Sequence, residues 1–114
     1  MKRRISDLLL AIGIPPQLKG YRLLSCAAEL RLEEEVPFGR SAKALYAQLA
    51  ERFGSDPQKV ERAIHHAIEL AWARDGGKSL SRAMGFPLYA PHNKPGNSEF
   101  IALLADKLRL ERQG

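Results

Sequence analysis

Apolar residues recur at helical spacing along nearly the whole chain, and no segment alternates convincingly with the two-residue period of a strand. Residues 5–12 read as a short apolar-rich helix stopped at Gly13, with Pro15 and Pro16 beyond it. A second helix is predicted from about Pro16 or Gly20 to Glu35, with Leu18, Tyr21, Leu24, Ala28 and Leu32 repeating at helical spacing. It ends in Glu33-Glu34-Glu35, ahead of Val36-Pro37-Phe38-Gly39. Three carboxylates at a helix C-terminus oppose the macrodipole; they read as a solvated helix end or as a contact for a basic partner. Residues 41–53 form the third helix, with Ser41 as N-cap and Ala42, Leu45, Tyr46, Leu49 and Phe53 as its buried stripe. Gly54 stops it, and Ser55 or Asp56 caps a fourth helix that carries Pro57 in its first turn and runs to about Arg74. Asp75-Gly76-Gly77 ends that helix, and 79–84 make a short fifth one. After a Pro/Gly/Asn-rich loop over 85–97, Asn97 or Ser98 caps a last helix to about Glu111, with Phe100, Ile101, Leu104 and Leu108 on its apolar side. The expected class is all-α with six helices, in one domain over 1–114.

Composition narrows the class. The chain has 114 residues, 45% hydrophobic and 27% charged, an ordinary globular balance with enough length for a modest core. The longest apolar run is residues 8–12, far short of a membrane span, and no signal-peptide pattern is visible. One cysteine, Cys26, excludes an intrachain disulfide and a cysteine-based zinc site, and fits a reducing, cytoplasmic setting. Its apolar neighbours favour a buried structural thiol. Eighteen basic against thirteen acidic residues give a net charge of +5. The excess lies in the C-terminal two thirds, and 76–98 contain Lys78, Arg82 and Lys94 with no acid. A local basic excess suits an anionic partner, nucleic acid above all, though many small soluble domains carry this charge.

Residues 41–74 have the grammar of a helix-turn-helix: a helix of about a dozen residues, a glycine, a turn of three or four residues and a capped second helix. Such a turn lets one helix brace the DNA backbone while the other enters the major groove. At 100° per residue, Val60, Ala63, Ile64, Ala67, Ile68 and Ala71 share one arc of the fourth helix. Gln58, Glu61, Arg62, His65 and Glu69 share the opposite arc, with Lys59 and His66 on its shoulder. This assortment can read bases: Arg binds guanine O6 and N7 in parallel, Glu accepts from cytosine N4, and Gln pairs with adenine. A solvated polar face would show the same periodicity.

Other chemistries find little footing. His65 and His66 point about 100° apart on a helix and do not converge on one ion; the remaining histidine, His92, lies in the loop. Gly76-Gly77 lacks the strand that a phosphate-binding loop follows, and no Ser, His and Asp spacing picks out a triad. No metal, cofactor or enzymatic activity is expected. Trp72, beside Leu70 and Ala71, reads as a partly buried anchor rather than a base-stacking residue.

Three strings carry a resemblance: IGIPPQLKGY at 12–21, VERAIHHAIELAWAR at 60–74 and KPGNSEFIALLADKLRLE at 94–111. They resemble the C-terminal DNA-binding effector domain of the master response regulator of sporulation initiation in endospore-forming Firmicutes. They stand in that family's order and spacing, and the similarity covers about residues 5–112. The resemblance implies a compact six-helix domain of the winged-helix-like superfamily without a true wing. It implies double-stranded DNA as partner, through TGTCGAA-like promoter boxes often in tandem, in a bacterial cytoplasm and on the nucleoid when bound. The family's base-contacting Glu and Arg correspond to Glu61 and Arg62. Ser55, Gln58, Lys59 and His66 fall where family members approach the groove or backbone. His65 stands where the family usually has Arg, which implies a weaker contact or a shifted preference. Lys43 and Lys94 are candidates for the phosphate contribution.

Two further surfaces follow from the resemblance. The segment after the fourth helix, with Lys78, Arg82 and Phe86, corresponds to the contact with the RNA polymerase sigma factor, although Asp75-Gly76-Gly77-Lys78 departs from the commoner sequence. The last helix, with Phe100, Ile101 and Leu104, corresponds to the one that joins neighbouring domains on tandem sites. The family's phosphorylated receiver domain has no counterpart in the residues before the effector segment, so this chain is expected to be the effector domain alone, excised or naturally separate. A competing expectation is a protein-interaction module for sigma factor or a partner regulator, with DNA binding weak or vestigial. A small-molecule-binding domain has no visible polar pocket to support it.

Overall fold

The computed structural model describes residues 2–33, 41–85 and 94–113. Glu34 and Glu35, the Val36-Pro37-Phe38-Gly39 string, His92 and Phe86 lie outside them. Six helices follow in order: α1 Lys2–Ile12, α2 Lys19–Glu33, α3 Ala42–Phe53, α4 Pro57–Asp75, α5 Lys78–Met84 and α6 Asn97–Gln113. No strand occurs among the described residues.

α1 begins three residues before the expected start. Arg4, a good helix former, is held from both sides: its guanidinium donates to both Glu111 carboxylate oxygens at 2.7–3.1 Å and lies 3.8 Å from Asp7. The helix closes where Gly13 and Ile14 both donate to the Leu9 carbonyl, at 3.2 and 3.0 Å, and Ile14 turns inward to full burial.

α2 is the central helix, packed most extensively on α4 and α6. Leu24, Ala28 and Leu32 are buried as expected, joined by Leu23, Ala27 and Leu30, while Leu18 and Tyr21 pack only partly against the core. At its first turn the backbones of α2 and α4 come very close. A Cβ on Gly20 would stand 2.5 Å from the Ala63 carbonyl oxygen and 2.6 Å from the Ala67 Cβ. Only a residue without a side chain allows this approach. One continuous core then joins Ile5 and Leu9 of α1, Leu24 of α2, Leu49 of α3, Ile64 of α4 and Leu108 of α6. The radius of gyration, 13.2 Å, is that of a compact chain of this length.

One expectation from the apolar pattern and one from the resemblance need correction. Phe53 ends the stripe of α3 but is 41% exposed, and Ala50 takes the buried place instead. Phe100, Ile101 and Leu104 are each 1% exposed, so these three face the core of their own domain and offer nothing to a neighbouring one. Their spacing fits α6 to α2, α1 and α4, the helices it packs on. Cys26 is partly buried, and the Arg52 guanidinium lies 3.5 Å from its sulfur. Trp72 is the partly buried anchor expected of it: its ring occupies the space a Cβ on Gly77 would take, at 2.4 Å, and Gly77 itself adopts φ +87°. Among the described residues, no helix is long and apolar enough to cross a membrane.

Candidate nucleic-acid interface

Local chemistry sets the angle between α3 and α4. Ser41 caps α3, its hydroxyl accepting from the Ala44 N–H at 3.2 Å. Gly54 takes the left-handed conformation, φ +60°, and the chain reverses with both Gly54 and Ser55 donating to the Ala50 carbonyl. Asp56, rather than Ser55, caps α4: its carboxylate accepts from the Lys59 N–H at 3.0 Å, and Pro57 supplies the first helical residue. A tight helix-turn-helix results, with α3 packed on α4.

The back of α4 is anchored. Val60, Ile64, Ala67, Ile68 and Ala71 are all buried. The opposite side is open: Gln58, Lys59, Glu61, Arg62, His65 and His66 are exposed, as is Ser55 in the turn. The side chains of Glu61 and Arg62 make no hydrogen bond or ion pair with another described residue. They stand free in the first two turns of a helix whose axis is fixed from behind. Lys43 is exposed in the first turn of α3, beside a shallow recess that also involves Pro57, Gln58 and Glu61.

Farther along, the open face is electrostatically tied down. The Glu69 carboxylate pairs with the Lys94 ammonium, and His65 Nε2 lies 3.4 Å from the same oxygen. Lys94 is two-thirds covered, so its charge is spent on Glu69. One of the two carboxylates on this face is thereby neutralised, and Glu61 keeps its charge.

Three features escaped the sequence reading. Neither Asn97 nor Ser98 caps α6; that place falls to Gly96, whose carbonyl accepts from Phe100 N–H at 2.9 Å. The Asn97 amide instead donates to the Glu61 backbone carbonyl at 3.0 Å, tying the start of α6 to the start of α4. No local signal marks this bond. On the other flank, Lys19, Arg22, Arg52 and Lys59 surround a depression that Leu23 and Phe53 also line. No local signal marks it, because its cations come from three helices. The third is Asp75, which accepts from the Ser79 N–H at 3.1 Å and from its hydroxyl. That hydroxyl bond above all, with the N–H groups of Ser79 and Gly77 and the charge of Arg74, holds the carboxyl below its ordinary range, against the upward push of burial. Lys78 and Arg82 are exposed on α5. Among the described residues, no group of three metal-ligating side chains converges.

A helix-turn-helix with one helix buried behind and polar in front, inside an all-α bundle, is an arrangement that DNA-binding domains use. A family model described as "Sporulation initiation factor Spo0A C terminal" matches residues 5–108, nearly the whole of the chain. The chain belongs to that family: it is a DNA-binding regulatory domain of the sporulation-initiation type, not a member of an enzyme family.

Proposed function

We propose that the domain reads short TGTCGAA-like promoter boxes with α4 in the major groove. The observation that carries this reading is the pair of free, exposed side chains Glu61 and Arg62 on a rigidly backed helix. Arg62 donates to a guanine edge and Glu61 accepts from a cytosine, while Gln58, His65 and His66 border them. Ser55, Lys43 and Lys59 meet the backbone from the turn and the first helical turns. Lys94 works indirectly, by cancelling the charge of Glu69, so its removal weakens binding to all sequences alike.

Two partner surfaces extend the reading. The exposed α5 residues Lys78 and Arg82 form the approach to a sigma factor. Neighbouring domains on tandem boxes meet through the outer side of α6. With Phe100, Ile101 and Leu104 buried, that contact falls to residues exposed along α6, among them Ala102, Asp106 and Leu110, the last 67% exposed.

Fluorescence anisotropy on labelled duplexes tests the reading, with tandem boxes against a scrambled sequence across a salt series. A preference of about a hundredfold or more supports it, since specific complexes exceed non-specific ones by far more than phosphate contacts alone allow. Equal, weak binding to both duplexes overturns it, and leaves the surfaces on α5 and α6 as protein contacts.

A further inference from the structure

We propose that the basic depression on the α2 side of α4, formed by Lys19, Arg22, Arg52 and Lys59, seats the sugar-phosphate backbone of one DNA strand. The proposal rests on α4 entering the major groove, and it adds the partner of a surface that no base-reading residue occupies.

A helix with its side chains is about 10–12 Å across, and the major groove is about 12 Å wide. Phosphates therefore line both flanks of an inserted helix. At 100° per residue, Glu61 and Ala63 lie on opposite sides of Arg62. The Glu61 side faces the recess with Lys43 and Gln58. The Ala63 side faces the depression. Its four cations come from three separate elements: the first turn or two of α2, the last turn of α3 and the first turn of α4. None of its lining residues is acidic. The nearest compensation is Asp56, 3.9 Å from the Lys59 ammonium, and Arg52 has only the weak acceptor Cys26. Like charges gathered from three elements repel one another in the free protein, and an anion relieves that repulsion.

The apolar residues select the kind of anion. Leu23 lies in the wall, and the Phe53 ring is 41% exposed at the α3 end instead of completing the core. A nucleic-acid strand alternates charged phosphates with the apolar faces of its sugars, and this mixture of guanidinium, ammonium and hydrocarbon matches it. The close contact at Gly20 keeps Lys19 and Arg22 in fixed register with Lys59, because it locks the two helices together beneath them.

The test is the salt dependence of binding in the double variant Arg22→Gln/Arg52→Gln. Each phosphate contact contributes about 0.9 to the slope of log affinity against log salt. The double variant is expected to lower the slope magnitude by about 1.8. It weakens box and scrambled duplexes by the same factor, so their ratio stays unchanged. Arg112→Gln, at the far end of α6, is the charge control and is expected to leave the slope as in the wild type. A wild-type slope in the double variant overturns the proposal, as does an equal fall in the control. Loss of box preference by the unaltered chain overturns the promoter reading instead, because the slope comparison still holds on any duplex. Should the double variant lose its helical circular dichroism, Lys19→Gln carries the same test, with a slope change of about 0.9.

Discussion

In the proposed reading, two residues on and beside α4 divide the labour between reading and holding. Arg62 is exposed and unengaged, so its replacement leaves the fold alone. Arg62→Ala is expected to cost about 1–3 kcal/mol of binding and to relax preference at one base pair, checked by anisotropy on singly substituted boxes. Equal loss on random DNA would contradict a base contact. Gly20 touches no ligand in this reading, yet it has no room for a methyl group. Gly20→Ala forces α2 and α4 apart and is expected to destabilise the fold by about 1–3 kcal/mol in urea unfolding. DNA affinity falls with it, since Val60 and Ile64 lose the support that aims α4.

At the scale of elements, what was legible is what is local. Ser41, Gly54, Asp56 and Pro57 act on their own neighbours, so the helix-turn-helix could be read within a residue or two, and so could the buried arc of α4. The polar arc was legible for the same reason, because periodicity alone separates it from the core. The early start of α1 and the role of Asn97 were not, because each depends on a partner far along the chain: Glu111 for Arg4, the Glu61 carbonyl for Asn97. The apolar side of α6 is the core side that its periodicity marks, and the neighbour contact expected from the resemblance at Phe100, Ile101 and Leu104 is what their burial corrects. The α4–α5 junction carries a pH dependence. Asp75 has a lowered pKa, so folding favours its ionised form. That stabilisation is fully present above the ordinary carboxylate value near pH 4 and is lost as pH falls through the lowered one. Ser79→Ala removes the hydroxyl bond that contributes most to the lowering, and is expected to move the acid-unfolding midpoint to higher pH in a circular dichroism titration.

For the whole molecule, the surfaces are separable. The groups proposed to face DNA lie on α4 and its flanks, and α6 carries Leu110 at 67% exposure near its far end. Leu110→Glu is therefore expected to leave affinity for a single box unchanged and to abolish cooperative filling of tandem boxes, seen as two separate steps in a footprinting titration. Cooperativity retained in that variant would place the neighbour contact on another face. The bond from Asn97 to position 61 has one more consequence. It is made to the main chain, and the buried back of α4 is likewise indifferent to what its front displays. Side chains at 61 and 62 can therefore be exchanged with the docking of α4 unaltered. The domain is in this sense a stock on which new promoter preferences can be grafted, by natural drift or by laboratory selection, with the stability of the bundle carried over from one variant to the next.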